Sequence, residues 1–116
     1  MEKRKVLICG STGFIGRNLV ERLIQRDDLE IFGTHFKRPA LDIKGFKSIF
    51  ADLTDSKSVD EVIKNKDIVI QAAATTSGAK DIVERPYIHV TDNAVMNSHI
   101  LRSCYKNNIK HFLFFS

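Results

Sequence analysis

Three glycines spaced three residues apart, Gly10, Gly13 and Gly16, are the residues whose type and spacing most directly indicate chemistry in this sequence. Glycine permits a tight turn and, lacking a side chain, lets the backbone approach a ligand closely. A glycine turn that opens a helix presents unpaired N–H groups and the positive end of the helix dipole to an anion. We therefore predict that residues 10–16 bind the diphosphate of a nucleotide. The alternative is a structural turn without a ligand.

Two elements must position these glycines. Residues 6–9 are apolar on both faces, which is typical of a strand buried in a parallel sheet. The segment that begins near Phe14 carries apolar residues at helical spacing, which predicts an amphipathic helix with residues 19, 20, 23 and 24 on its buried face. In this context Gly10 permits the turn, Gly13 lets the backbone approach the ligand, and Gly16 lets the helix lie against the strand.

The rest of the chain alternates between strand and helix patterns. We predict further strands at residues 29–34, 46–51, 67–72 and 109–115, and further helices at residues 56–64 and 87–107. Such alternation indicates an α/β fold with a doubly wound parallel sheet, five strands in the order 3-2-1-4-5, and right-handed crossovers. The last strand is apolar and has no neighbour on one side, so we predict that the sheet is incomplete at its carboxyl end.

The end of the second strand decides which nicotinamide cofactor such a fold binds. An acidic residue there holds the ribose 2′-hydroxyl of NAD, whereas a basic group accommodates the 2′-phosphate of NADP. Thr34 and His35 occupy the place of the acid, and the cations Lys37 and Arg38 follow. The sequence therefore predicts NADP, with NAD as the second choice. The alternative is that both cations are exposed loop charges.

Asp52 follows the third predicted strand, on the rim of the sheet where ligands bind in open α/β folds. This position favours a ligand contact. The alternative is a capping role before the next helix, for which Thr54 and Asp55 are also candidates. Residues 72–74 are alanines at the end of the fourth strand, where small side chains leave room for a flat ligand or allow close packing.

The motif G-x-x-G-x-x-G, with Phe14 and Ile15 between its last two glycines, resembles the extended short-chain dehydrogenase/reductase family of NAD(P)-dependent sugar-nucleotide epimerases, dehydratases and reductases. The resemblance covers essentially the whole chain and implies a Rossmann-type domain. It further implies that Asp52 hydrogen-bonds the adenine amino group, that Leu53 contacts the ring, and that the alanines border the cofactor riboses. The predicted cofactor-binding residues are Gly10, Ser11, Thr12, Gly13, Phe14, Ile15, Gly16, His35, Lys37, Arg38, Asp52, Leu53, Ala72, Ala73 and Ala74.

The family's catalytic motif Y-x-x-x-K, in which lysine lowers the pKa of tyrosine for acid–base chemistry, has no match here. Thr91 stands four residues after Tyr87, and Ile109 stands four residues after Tyr105. Ser116 resembles the serine that precedes the family's catalytic one. We therefore predict no catalytic residue in this chain, and expect it to be the amino-terminal part of a larger protein that supplies the catalytic pair and a substrate lobe.

The resemblance implies hydride transfer on a nucleotide-sugar substrate by a protein that is a homodimer at full length. The alternative is a non-catalytic, NADP-sensing regulatory or assembly protein of the same fold. His99 stands where an asparagine of the family commonly organises a proton relay, and this departure leaves a surface or packing role for His99 equally open.

Composition excludes other classes of function. The chain has 116 residues, 43% hydrophobic and 28% charged, which suits one globular domain. The net charge of +4 comes from scattered lysines and arginines without an aromatic stacking set, so we predict no nucleic-acid partner. The apolar runs are too short for a membrane span and residues 1–5 lack a signal sequence, so we predict a cytoplasmic protein. Cys9 and Cys104 lack metal-binding spacing, and we predict two core thiols and no metal.

Overall fold

The computed structural model describes residues 2–74 and 86–115, with the backbone alone for residues 86–91. Its strands are β1 (Arg4–Cys9), β2 (Leu29–His35), β3 (Phe46–Phe50), β4 (Ile68–Gln71) and β5 (His111–Phe114). Its helices are α1 (Phe14–Leu23), α2 (Ser56–Ile63) and α3 (Pro86–Lys106). All strand pairs are parallel, and the sheet order β3-β2-β1-β4-β5 confirms the predicted topology.

The side chains of β1 alternate between two apolar layers. Leu7 and Cys9 lie in the layer that includes α2 and α3, whereas Val6 and Ile8 lie in the layer that includes α1. All four are at most 1% exposed, because β1 is the central strand and both of its faces are covered. The connector between β2 and β3 packs on the α1 layer through Leu41 and Ile43.

The start of β5 differs from its predicted boundary, whereas α3 ends within one residue of the prediction. Asn108 adopts the left-handed conformation with φ 55, as expected of a helix stop, and the Ile109 N–H donates to the Cys104 carbonyl. This closure holds residues 107–109 to the helix, so β5 is shorter than the predicted 109–115. The predicted loop at residues 76–85, the side chain of Tyr87, and Ser116 lie outside the described residues.

β5 forms one edge of the described sheet. Its register places Leu113 beside Ile70 and Phe114 beside Gln71 of β4. The side chains of Leu113, Phe114 and Phe115 are 54%, 45% and 45% exposed. The predicted apolar edge is therefore confirmed. Among the described residues, no helix combines the length and the apolarity that crossing a membrane needs.

Candidate nucleotide-binding site

The predicted site lies where the strand order reverses. β1 pairs with β2 on one side and with β4 on the other, so the glycine turn after β1 and the alanines after β4 meet at the same edge of the sheet. Ligands of open α/β sheets bind in the crevice at such a switch point. The topology thus brings together residues that are about 60 positions apart in the sequence.

Gly10 and Gly16 are required by the geometry of the turn. Gly10 has φ +80, and a Cβ atom there would lie 2.5 Å from the Cα of Ala73. A Cβ atom at Gly16 would lie 2.0 Å from the carbonyl oxygen of Gly10. Any side chain at either position would therefore displace backbone, which accounts for the tight turn and for the close approach of α1 to it.

Gly13 differs from the other two glycines. Its backbone has φ −78 and ψ 174, a conformation that any residue can adopt. A Cβ atom there would meet only the Gly10 carbonyl oxygen, at the ordinary contact distance of 3.8 Å. The fold itself therefore does not demand glycine at this position, which agrees with the predicted role of leaving space for a ligand.

The first turn of α1 presents backbone donors beside Gly13. The Arg17 N–H donates to the Gly13 carbonyl, so the N–H groups of Phe14, Ile15 and Gly16 precede the hydrogen-bond ladder of the helix. This first turn contains no acidic side chain that would neutralise its positive end. Phe14 is 86% exposed, so its side chain does not belong to the core. The arrangement suits an anionic group.

Arg38 reaches this turn from the segment after β2. Its Nη1 donates to the Thr12 carbonyl oxygen at 3.1 Å. His35 points instead toward β3, with Nδ1 at 2.8 Å from Ser48 Oγ and its ring edge-on to Phe50. Lys37 is exposed. Of the three predicted residues at this strand end, Arg38 is thus the one held against the glycine turn.

Asp52 shapes the loop between β3 and α2. Its Oδ1 accepts hydrogen bonds from the Thr54 backbone N–H at 3.0 Å and from Thr54 Oγ1 at 2.6 Å. Asp55 is the N-cap residue of α2, yet its side chain makes no capping hydrogen bond. The side chain of Leu53 is 7% exposed and belongs to the core, so only its main chain could face a ligand.

The three alanines differ in their surroundings. Ala72 donates its N–H to the Cys9 carbonyl and so continues the pairing of β4 with β1. Ala73 packs against Gly10 and donates its N–H to Gln71 Oε1. Ala74 is exposed. Close packing therefore accounts for Ala73 but not for Ala74.

Two buried polar residues that are not among the predicted cofactor-binding residues shape the site from below. Thr34 is 1% exposed; its Oγ1 accepts from the Gly10 N–H, and its carbonyl accepts from both the N–H and the hydroxyl of Ser11. Gln71, also 1% exposed, donates to Asn97 Oδ1 of α3. The signal available in the sequence was a single polar residue near the carboxyl end of an apolar strand. Ser11, a predicted ligand contact, thus directs its hydroxyl toward β2.

His99 lies on α3 beside the Asp52 loop. Its Nε2 is 3.2 Å from the Thr54 carbonyl oxygen, and the side chain is half-buried. This contact supports the packing role that the sequence left open. Both cysteines are free and buried in the layer that includes α2 and α3, which confirms the prediction of core thiols.

Comparisons with known proteins place these features in context. Residues 6–116 match the NAD dependent epimerase/dehydratase family. A GDP-L-fucose synthase from Azorhizobium caulinodans is 26% identical over 108 residues, which are 91% of this chain and 30% of that protein. A UDP-N-acetylglucosamine 4-epimerase from Methanobrevibacter ruminantium, solved with UDP-N-acetylmuramic acid, is 26% identical with a TM-score of 0.76, over 97% of this chain and 37% of that one.

A further solved structure is WbmH from Bordetella bronchiseptica in complex with NAD+. It is 24% identical with a TM-score of 0.77, over 96% of this chain and 38% of that chain. The similarity to WbmH shows a shared fold. The chain spans less than half the length of each of these three proteins.

Proposed function

We propose that the glycine turn of this chain, which belongs to the NAD dependent epimerase/dehydratase family, binds the diphosphate of NADP. The chain would do so as part of a nucleotide-sugar oxidoreductase or epimerase. The observation that carries the proposal is the open side of Gly13 next to the backbone donors of α1. Gly10 and Gly16 fix the shape of the turn, and Gly13 leaves its surface clear for the ligand.

Hydrogen bonds supply more of the expected affinity than the helix dipole does. A hydrogen bond to a charged acceptor contributes about 1.5–3 kcal/mol. The dipole at a helix end contributes about 0.3–1 kcal/mol and is screened by salt. The N–H groups of Phe14 and Ile15 are therefore the groups that we expect to hold the diphosphate, with the dipole as a smaller addition.

The segment after β2 supports NADP over NAD. No carboxylate stands at the end of this strand, the Thr34 hydroxyl already accepts from Gly10, and Arg38 lies against the turn with Lys37 beside it. We propose that Arg38 and Lys37 bind the 2′-phosphate and that His35 flanks the ribose. NAD is the alternative, and it is favoured by the NAD+ bound to WbmH.

The adenosine end of the cofactor is assigned to the loops after β3 and β4. Both hydrogen bonds from Thr54 go to Asp52 Oδ1, which leaves Oδ2 to accept from the adenine amino group. Because the side chain of Leu53 is buried, only its backbone would contact the adenine ring. Ala74, which is exposed, and its neighbours Ala72 and Ala73 would border the riboses.

We propose that the activity of the whole protein requires segments that these longer relatives have in addition. The names of the relatives indicate nucleotide-sugar chemistry, and we propose hydride transfer at a sugar carbon of such a substrate, in a cytoplasmic homodimer. A non-catalytic NADP sensor is the alternative. The gene sequence downstream of Ser116 distinguishes them, since the enzyme requires Y-x-x-x-K there and the sensor lacks it.

Replacing Gly13 by leucine tests nucleotide binding directly. The side chain would fill the space above the turn without changing its backbone, so we expect the variant to keep its fold. Losing two charge-assisted hydrogen bonds should weaken NADPH binding at least about a hundredfold, as measured by NADPH fluorescence.

The matched control is Ser98→Leu, which adds the same bulk on the exposed side of α3. It should bind NADPH like the unmodified chain. A folded Gly13→Leu protein with unchanged NADPH affinity would show that the turn is not the nucleotide site.

Arg38→Ala tests the choice of cofactor. The variant loses the cation at the proposed 2′-phosphate site, so the dissociation constant of NADPH should rise about tenfold, while that of NADH changes little. Lys44→Ala removes an exposed cation from the end of the connector and serves as the control. Equal loss of both cofactors in Arg38→Ala would contradict a role in selecting NADP.

A further inference from the structure

We infer that Thr34 is a positioning residue, which holds the glycine turn in the shape that receives a diphosphate. The inference rests on the proposed function and concerns a residue that does not itself touch the ligand. Thr34 lies in β2, 23 residues after Ser11 in the sequence, yet it makes three hydrogen bonds to two consecutive residues of the turn.

The three hydrogen bonds fix both peptide groups at the start of the turn. Thr34 Oγ1 accepts from the Gly10 N–H at 2.8 Å. The Thr34 carbonyl accepts from the Ser11 N–H at 2.9 Å and from Ser11 Oγ at 2.8 Å. Thr34 and Ser11 are at most 1% exposed and Gly10 is partly buried, so water competes little for these bonds. The backbone can leave this position only by breaking buried hydrogen bonds.

The residue before Thr34 provides the close approach that these bonds need. A Cβ atom at Gly33 would lie 2.6 Å from the Cβ of Ser11. Gly33 therefore allows the close approach of β2 to the turn, and Thr34 forms the hydrogen bonds that hold the turn there.

This attachment decides which backbone donors remain for a ligand. The N–H groups of Gly10 and Ser11 are both turned toward β2 and are occupied. The donors left for an anion include those at the start of α1, beginning with Phe14. If Gly10 and Ser11 were released, the Gly10 carbonyl that contacts Gly16 would shift, and the first turn of α1 would move with it.

Thr34 also ties two parts of the proposed site to one strand. The segment that follows it carries Arg38, whose guanidinium donates to the Thr12 carbonyl of the turn. The buried hydrogen bonds of Thr34 hold the start of the turn, whereas the hydrogen bond from Arg38 is exposed and adds little to its rigidity. Preorganisation of this kind raises affinity because the ligand does not have to order the loop.

Thr34→Val tests the inference, because it keeps the branched shape and removes only the hydroxyl that accepts from Gly10. The probes are ADP-ribose, which contains the diphosphate, and adenosine, which does not. We expect ADP-ribose binding by the 116-residue chain to weaken about tenfold in calorimetry. Adenosine binding, followed by NMR titration, should change by less than about twofold.

Two variants separate positioning from a general loss of stability. Thr34→Ser retains the hydroxyl and should restore ADP-ribose binding to within about twofold. Ser103→Ala removes another buried hydroxyl, on α3 and bonded to Asn107, so it should lower the melting temperature without changing the affinity for either probe. Hydrogen exchange of the Gly10 amide should be faster in Thr34→Val and normal in Thr34→Ser.

Each outcome decides one question. The inference is overturned if Thr34→Val binds ADP-ribose like the unmodified chain, or if it loses ADP-ribose and adenosine in the same proportion. If the unmodified chain itself binds no ADP-ribose, the proposed function is wrong and the inference fails with it. A selective loss of ADP-ribose that Thr34→Ser reverses supports both.

Discussion

The carboxyl end of β1 and the strand β5 are opposite cases within one sheet. Cys9, the last residue of β1, is fully buried and has paired strands on both sides, whereas Leu113 of β5 is 54% exposed and has a paired strand on one side. A backbone held from both sides can place donors to a fraction of an ångström, which anion binding requires. The candidate site thus has a well-defined geometry because it lies at the centre of the sheet.

The two regions also differ in what holds them. The turn after β1 is fixed by short polar contacts to Thr34 and by backbone packed against Ala73 and Gly16. β5 is held by its pairing with β4 and by the packing of Phe112 against the core. We therefore expect the stability of the turn after β1 to depend on single atoms. We expect self-association through β5 to depend on its exposed apolar area.

The largest expected effect is at Gly16. In Gly16→Ala the new Cβ would overlap the Gly10 carbonyl oxygen, and neither backbone segment can move without breaking the turn. We expect a loss of about 3 kcal/mol in the free energy of unfolding, measured by urea denaturation.

Gly45→Ala is the control for this substitution. Gly45 has φ +88, but a Cβ atom there meets nothing within 4 Å, so the cost is conformational strain alone. That strain amounts to about 1–2 kcal/mol. If Gly16→Ala cost no more than Gly45→Ala, the centre of the sheet would be no more constrained than a surface turn.

The second effect concerns the edge. Leu113→Lys places a charge on the exposed face of β5, which removes apolar area and discourages pairing between sheet edges. Burying a leucine side chain in a contact contributes about 1.5–3 kcal/mol, so self-association should weaken by about tenfold or more in sedimentation experiments.

Phe112→Lys is the matched substitution on the other face of the same strand. Phe112 packs against the core, so this variant should lose stability rather than association. If both variants lost the same stability and the same self-association, β5 would not be an apolar edge that promotes self-association. An unmodified chain that stays monomeric at high concentration would contradict that description as well.

The sequence predicted what depends on neighbours along the chain. The apolar residues of β1, the glycine spacing and the apolar stripe of α1 are local patterns, and Val20 is fully buried as the stripe requires. The stop at Asn108 was also predictable, because asparagine tolerates a positive φ. The strand order followed from alternation and crossover handedness.

The remaining features depend on contacts between distant segments. The hydrogen bonds from Gly10 and Ser11 to Thr34 span 24 and 23 residues, and the one from Arg38 to Thr12 spans 26 residues. No local pattern specifies such pairs, because their formation depends on which strands lie side by side. For the same reason the sequence suggested Ser11 and Leu53 as ligand contacts, although their side chains are buried in the fold.

The third effect compares the two buried thiols. Burial raises the pKa of Cys9 to about 12 and that of Cys104 to about 11, from the ordinary 9.0. A raised pKa in the folded state means that the stabilisation is fully present below pH 9 and is lost as the pH rises toward the folded value. For Cys9 the loss should approach about 1.4 kcal/mol per pH unit above pH 9.

Urea denaturation between pH 7.5 and pH 10.5 measures this loss, and Cys9→Ala should show a shallower decline above pH 9. Below that pH both thiols are protonated and shielded, so neither should react quickly with a thiol reagent in the folded chain. Cys9 lies deeper and should react more slowly than Cys104. Faster labelling of Cys9 would show that the centre of the sheet opens more readily than α3.

The smallest effect lies on the outer face of α1. Arg17 and Glu21 form an ion pair at 3.0 Å, one helical turn apart, and both side chains are more than half exposed. Glu21→Gln should lower the free energy of unfolding by about 0.3–0.5 kcal/mol, with no difference remaining in 1 M salt. The same substitution should leave NADPH binding unchanged, since Glu21 lies two turns beyond the donors of the helix. A larger loss would mean that surface charge, rather than the buried contacts to Thr34 and Ala73, holds α1 over the turn.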